Sequence, residues 1–177
     1  MANPEHLALL QQGTTVWNAW REQYPEIQPN LRQAPLRGWS LQGVNFVEAD
    51  LREANLYEAD LSKARLNGAN CNSADLRKVN LAGADLSEAN LSSADLRKAN
   101  LTQANLVSAN LKVAFLRQAN LQGANLSAAN LQETDLSGVN LQGATLCLAN
   151  IKTANLTGVD LTQLDGMAER MPEPTTD

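Results

Sequence analysis

Apolar residues recur along this chain with a period of five. From Leu31 to Leu161 there are 27 such positions without a break in register; 24 are Leu, and Phe46, Cys71 and Ile151 fill the rest. Two residues before each stands Ala in 20 of the 27 cases, with Val44, Val79, Val139, Val159 and Thr134 as small substitutes. The residue immediately before is Asn or Asp in 22 of the 27. The unit is therefore A-(N/D)-L-x-x, and Ala94-Asp95-Leu96-Arg97-Lys98 is a complete copy. Neither standard element accommodates it. On an α-helix each step of five turns the Leu by about 140°, so no face collects them. Along a straight strand an odd step throws successive Leu to opposite sides. The Leu share one interior only if the chain turns a corner in every repeat, which makes a narrow solenoid.

This pattern resembles the pentapeptide repeat family, over roughly residues 29–163. The resemblance implies an all-β solenoid, a right-handed quadrilateral β-helix with four pentads per coil and an α-helical cap before it. In that family the central Leu and the preceding Ala point inward, and the other three positions face out. Spacing alone would also permit three or five sides. With four sides, residues twenty apart stack at one ladder spacing, about 4.8 Å. Leu51, Leu56, Leu61 and Leu66 are then expected to point inward from four different sides. Cys71 follows Leu51 in its interior column and is expected to be a small buried hydrophobe. The neighbouring column, Asn30, Asp50, Asn70, Asn90, Asn110, Asn130 and Asn150, reads as a structural amide ladder. Its side chains can bond along the axis and to the turn backbone. Eight of the ten glycines close a pentad, and Gly43, Gly83, Gly123 and Gly143 follow the Leu41 side. That spacing predicts type II turns at that corner, where the third residue needs a positive φ.

The ends carry the non-repeating information. Three regions are expected: 1–28 as a helical cap and link, 29–163 as the β-helix, and 164–177 as a C-terminal cap or flexible tail. Asn3-Pro4 reads as an N-cap followed by proline at the first helical position. Leu7, Leu10, Val16, Trp17 and Trp20 recur at helical spacing. Gly13 can divide the segment in two, with Thr14 as a fresh N-cap. The first coil departs from the repeat at Pro29, Trp39, Val44 and Phe46. Large side chains at the mouth of a narrow core predict that Trp17 and Trp20 cap it near Trp39 and Phe46. At the far end Leu164, Met167 and Met171 precede a polar tail, so either this segment or a second copy of the chain covers the last coil. Head-on dimers through the C-terminal coil are known in the family, so the resemblance keeps a homodimer there as one of the two readings.

Composition and charge narrow the function. The net charge is −5 and the pI about 4.9, which speaks against an ordinary basic nucleic-acid surface. No apolar run is long enough to span a membrane. Two cysteines make no disulfide framework, which predicts a cytoplasmic protein. No catalytic constellation, metal site or cofactor site emerges: His6, the only histidine, has Leu and Ala around it, and every pentad glycine belongs to the repeat. An enzyme is not expected. One outward column reads Arg37, Tyr57, Arg77, Arg97, Arg117, Ser137 and Thr157. Beside it Phe115 takes a place that the repeat gives to Asn or Asp. Arg77, Arg97, Phe115 and Arg117 are the candidate partner-binding residues, because exposed aromatics and arginines are favoured interface material. Val107, Val113, Cys147 and Leu148 also break the polar pattern and suggest a small apolar patch. Some family members bind gyrase by presenting a DNA-like acidic rod. Only seven of the 22 Asn/Asp positions here are Asp, so that topoisomerase-binding role is kept as the alternative. The segment L-x-L-L-Q-Q-G-x-x-x-W-N-x-W-R resembles a leader that precedes pentapeptide repeats in cyanobacterial proteins. The leading expectation is a non-enzymatic interaction scaffold with an unidentified protein partner.

Overall fold

The computed structural model describes residues 1–162 and 164. Two helices, α1 (Pro4–Gln11) and α2 (Thr14–Gln23), lead into the repeat. From Asn30 onward the backbone forms parallel bridges between residues twenty apart, in four series that begin at Asn30, Pro35, Ser40 and Asn45. The chain is thus a right-handed quadrilateral β-helix. Its four sides are numbered here by their first inward residues, Leu31, Leu36, Leu41 and Phe46. Leu56 and Leu76 share the second side, since Asn55 pairs with Asp75.

The backbone accounts for four of the five N–H groups of a pentad, and the fifth explains why the repeat favours Asn or Asp. In the Leu51 unit the Leu51 N–H donates to Asn70 O of the next coil at 2.8 Å, and Glu53 N–H to Asn72 O at 3.0 Å. Ala54 N–H closes the corner on Leu51 O at 3.0 Å, and Asn55 N–H reaches back to Ala34 O at 3.0 Å. One donor remains, the N–H of Arg52, and the Asp50 carboxylate accepts it at 3.2 Å. A buried or half-buried backbone N–H left unpaired costs about 1–3 kcal/mol. An Asn or Asp one residue before the central apolar residue, present in 22 of the 27 units, can supply that acceptor. The same side chains also bond coil to coil, as from Asn100 Nδ2 to Asn80 Oδ1 at 3.0 Å and from Asn140 Nδ2 to Asn120 Oδ1 at 3.0 Å.

The left-handed corner is more general than the glycines suggested. Positive φ occurs at the third turn residue on all four sides, including Glu53, Lys98, Lys63 and Glu48 at 57–60°. Type II geometry is therefore set by the square cross-section, and Gly only relieves it locally. Val113 holds φ 60° with a β-branched side chain, a conformation costing about 1–2 kcal/mol for a non-glycine residue. Replacing Val113 with Gly should stabilise the protein by about 0.5–1 kcal/mol. Calorimetry should then show a Tm higher by a few degrees.

The interior is Leu and Ala throughout. Leu51, Leu56, Leu61, Leu66 and Cys71 are all 1% exposed or less. Burial pushes the Cys71 thiol up to about 12, so it stays protonated and inert. Thr134, in an Ala position, is fully buried and donates its hydroxyl to Leu111 O at 2.8 Å. In the last coil Ile151, Leu156 and Leu161 are only half-buried, and Leu164 packs beside them. Met167, Met171 and the remainder of the expected tail lie outside the described residues.

The helices cover the open face of the first coil. Asn3 caps α1 by accepting from Glu5 N–H at 2.8 Å. Gly13 at φ 104°, not Thr14, is the N-cap of α2; Thr14 is its first helical residue. Glycine wins because the reversal between the helices needs a backbone conformation that threonine adopts poorly. Trp17 is fully buried, edge-on to Phe46 with ring centres 5.6 Å apart and 5.1 Å from Trp20. Trp20 and Trp39 pack on the core and remain partly exposed. The first coil has no coil before it, so its edge groups need substitutes, and side chains of the cap supply them. Trp17 Nε1–H donates to Asn45 O at 2.8 Å, while Asn18 accepts from Asn45 N–H at 2.8 Å and donates to Gly43 O at 3.0 Å. Arg21 donates to Ile27 O and to Val47 O. Asn3 N–H donates to Asn30 O at 2.9 Å, and His6 Nδ1 accepts from Asn30 N–H at 2.9 Å. Pro35, on another side, has no N–H to satisfy.

His6 makes this cap sensitive to pH. Its Nδ1 must be unprotonated to accept from Asn30, and burial holds its pKa below the ordinary 6.5. The folded value lies below the unfolded one, so the contribution is full above about pH 6.5 and is lost as pH falls through the folded value. A melting series from pH 7.5 to 5 should show a falling Tm. His6→Asn keeps an acceptor that does not titrate and should flatten that series.

Candidate functional site

The second side gathers most of the side chains singled out in the sequence. Three D-L-R units, at Asp50, Asp75 and Asp95, fold into the same local chelate. Arg77 places Nε 2.8 Å from Asp75 Oδ1 and Nη2 2.6 Å from Asp75 Oδ2. Arg97 does the same to Asp95 at 2.8 and 2.6 Å, as Arg52 does to Asp50 on the first side. The guanidinium of Arg77 holds the Asp75 carboxyl below its ordinary range. Asp75 and Asp95 are bridged neighbours in one column, so two carboxylates stack at one ladder spacing. Arg77 spans them, with Nε 3.7 Å from Asp95 Oδ2. Arg77 and Arg97 thus neutralise a stacked acidic pair. Both are 43–50% exposed, where such pairs add about 0.2–1 kcal/mol.

Phe115 breaks this device. It continues the Asp75 and Asp95 column and stands between Asp95 and Asp135, with 45% of its surface exposed. The substitution removes the acceptor for the Arg117 N–H and the carboxylate partner for the Arg117 guanidinium. Arg117 makes no ion pair among the described residues. Val113, 37% exposed, stands at the corner immediately before. Val107 and Cys147 lie on the fourth side and Leu148 on the corner after it, so the four residues do not form one patch. The period of five sends them to different sides.

Tyr57 carried no role in the sequence reading, although its place in a column of arginines marks it out. The centre of its ring lies 4.7 Å from Arg37 Cζ, 5.2 Å from Arg77 Cζ and 5.3 Å from Lys78 Nζ. Lys78 pairs with Glu58 at 2.8 Å. A shallow hollow opens here, lined by Tyr57, Arg77, Lys78, Arg97 and Lys98.

Charge is distributed unevenly around the square. In residues 31–162 twelve Lys and Arg balance twelve Asp and Glu. The second side and its corner hold six cations (Arg37, Arg77, Lys78, Arg97, Lys98 and Arg117) against four acids (Glu58, Asp75, Asp95 and Asp135). The coils therefore lack the sustained negative field of a DNA-like rod, and their second side is locally basic. Among the described residues no group of three or more His, Cys, Asp or Glu gathers as metal ligands. No described helix is long and apolar enough to cross a membrane.

Comparison with known proteins agrees with the coil geometry. The profile of the family described as pentapeptide repeats matches eight copies, within residues 30–68, 54–92, 64–103, 84–123 and 124–163. Comparison with curated proteins gives no match. Among solved structures, a pentapeptide repeat protein of the Arabidopsis thaliana thylakoid lumen is similar at 34% identity and a TM-score of 0.55, over 56% of this chain and 69% of that one. HetL, a pentapeptide repeat protein involved in heterocyst differentiation regulation in the cyanobacterium Nostoc sp. strain PCC 7120, is 39% identical over 71% of each chain, with a TM-score of 0.46. QnrB1, a plasmid-mediated fluoroquinolone resistance protein, is 18% identical over 73% of this chain and 71% of its own, with a TM-score of 0.43. The unbroken period of five, the four bridged series and the profile match lead to one conclusion: the chain belongs to the pentapeptide repeat family.

Proposed function

We propose that this chain is a non-enzymatic protein–protein interaction scaffold and that its second side is the docking surface. The observation that carries the reading is Phe115. At this position the repeat favours a short acceptor, and the chain instead exposes an aromatic ring and leaves Arg117 without an ion pair among the described residues. No demand of the β-helix explains either change, whereas an interface uses both, the ring as an apolar anchor and the guanidinium as a fork for carboxylates. Arg77 and Arg97 flank the anchor with exposed edges. The partner is a protein that presents acidic groups. The half-buried Ile151, Leu156 and Leu161 support a homodimer through the C-terminal coil within the same reading. The unpaired thiols of Cys71 and Cys147 support a cytoplasmic setting.

The test compares full-length wild type with Phe115→Asn and Arg117→Ser in capture from native lysate, followed by titration of the captured protein. Phe115→Asn restores the consensus and the acceptor for Arg117 N–H, so the variant should melt at or above wild type. It should weaken binding by about 1–2 kcal/mol. Unchanged affinity in both variants would leave the second side a solvated face.

A further inference from the structure

We propose that the hollow over Tyr57, bounded by Arg77, Lys78, Arg97 and Lys98, binds a phosphate-type dianion. The assignment starts from local charge. Arg37, Arg77, Lys78, Arg97 and Lys98 face only Glu58, Asp75 and Asp95, which leaves a surplus of two positive charges in a chain whose net charge is −5. The three acids are already matched: Asp75 by Arg77, Asp95 by Arg97 and Glu58 by Lys78. Lys98 makes no ion pair among the described residues, and Arg37 lies against the Tyr57 ring.

Donor geometry points the same way. Arg77 and Arg97 bind their own carboxylates through Nε and Nη2, and no described acceptor takes Nη1 of either. Two guanidinium edges, one ladder spacing apart, and the Lys98 ammonium therefore line the hollow as charged donors. Guanidinium and ammonium groups are the side chains that hold phosphoryl oxygens. The Tyr57 ring holds Arg37, Arg77 and Lys78 by cation–π attraction and the chelates hold Arg77 and Arg97, so little side-chain freedom is lost on binding. A phosphate monoester carries about −1.5 to −2 near neutral pH and matches the surplus; a single carboxylate matches half of it.

The hollow shares Arg77 and Arg97 with the proposed docking surface, but the anchor Phe115 lies one coil beyond Arg97 and does not line it. The experiment uses full-length isotope-labelled protein at low ionic strength and pH 7.5. Inorganic phosphate is titrated in one arm and O-phosphoserine in another, with sodium acetate at matched ionic strength as the control. Saturable amide shifts at Tyr57, Lys78 and Lys98 are expected with both phosphate probes and not with acetate. Tighter binding of O-phosphoserine assigns the site to a phosphorylated segment, and tighter binding of inorganic phosphate assigns it to the free ion. Lys98→Gln places the residue found at Gln118 in the same column, so the fold accepts it, and it should weaken phosphate binding about 5-fold or more. Phe115→Asn should leave phosphate binding unchanged whatever it does to partner capture. Shifts that rise linearly, that acetate reproduces, or that Lys98→Gln leaves unaltered would overturn the proposal.

Discussion

Replacing Trp17 with Ala is expected to cost about 3–5 kcal/mol and to unravel the protein from one end. The magnitude is that of removing a large, fully buried aromatic side chain. Trp17 does more than fill space. Its indole N–H holds Asn45 O at 2.8 Å, and its ring meets Phe46 at the mouth of the core. Without it an edge carbonyl of the first coil loses its partner while Phe46 becomes accessible to water. In a solenoid each coil touches only its neighbours, so damage at an end spreads one coil at a time. Hydrogen exchange should therefore accelerate most at Leu31–Asp50 and little beyond Leu91. Removing residues 1–24 should go further and cause association, because the first coil would offer its unpaired edge to another chain. Uniform acceleration along the whole chain would contradict this account of the cap.

The sequence was most informative where one rule repeats. A step of five excludes helix and straight strand, and the Leu column then assigns inside and outside for every residue. The Asn and Asp positions were legible as structural, although their full role appears only when the backbone donors are followed through one turn. The cap was legible as apolar helices and illegible in its polar half. Asn18, Arg21 and His6 mimic a missing coil, yet nothing in their spacing marks them, because their partners are backbone groups about 25 residues away. The turn assignment held at the Leu41 corner and stopped short of the other three, because glycine shows where a positive φ is easy, whereas ring closure decides where it is required. On the second side the sequence offered Arg77, Arg97, Phe115 and Arg117 together as partner-binding residues. The structure folds two of these arginines back along the surface onto their own aspartates, and F-L-R at 115–117 is the unit whose arginine keeps no such partner.

The same one-dimensional logic predicts that identical substitutions will differ sharply along the axis. Leu96 is fully buried in the middle of the stack, between coils whose spacing is fixed by the backbone ladder. Leu96→Ala leaves a void that those coils cannot close, so its cost should fall near the upper part of the range of about 2–5 kcal/mol. Leu156 occupies the same interior column three coils later and is half-buried at the open end. Leu156→Ala removes less buried area, and water reaches the gap, so about 1 kcal/mol is expected. Denaturant titration of both variants at unchanged m-value measures the difference directly. Equal costs would mean that the last coil is as well covered as the middle, which requires either the chain beyond Leu164 or a second copy packed across Ile151 and Leu156. Repeating the titration at tenfold lower protein concentration separates those two, because only the cover given by a second copy weakens on dilution.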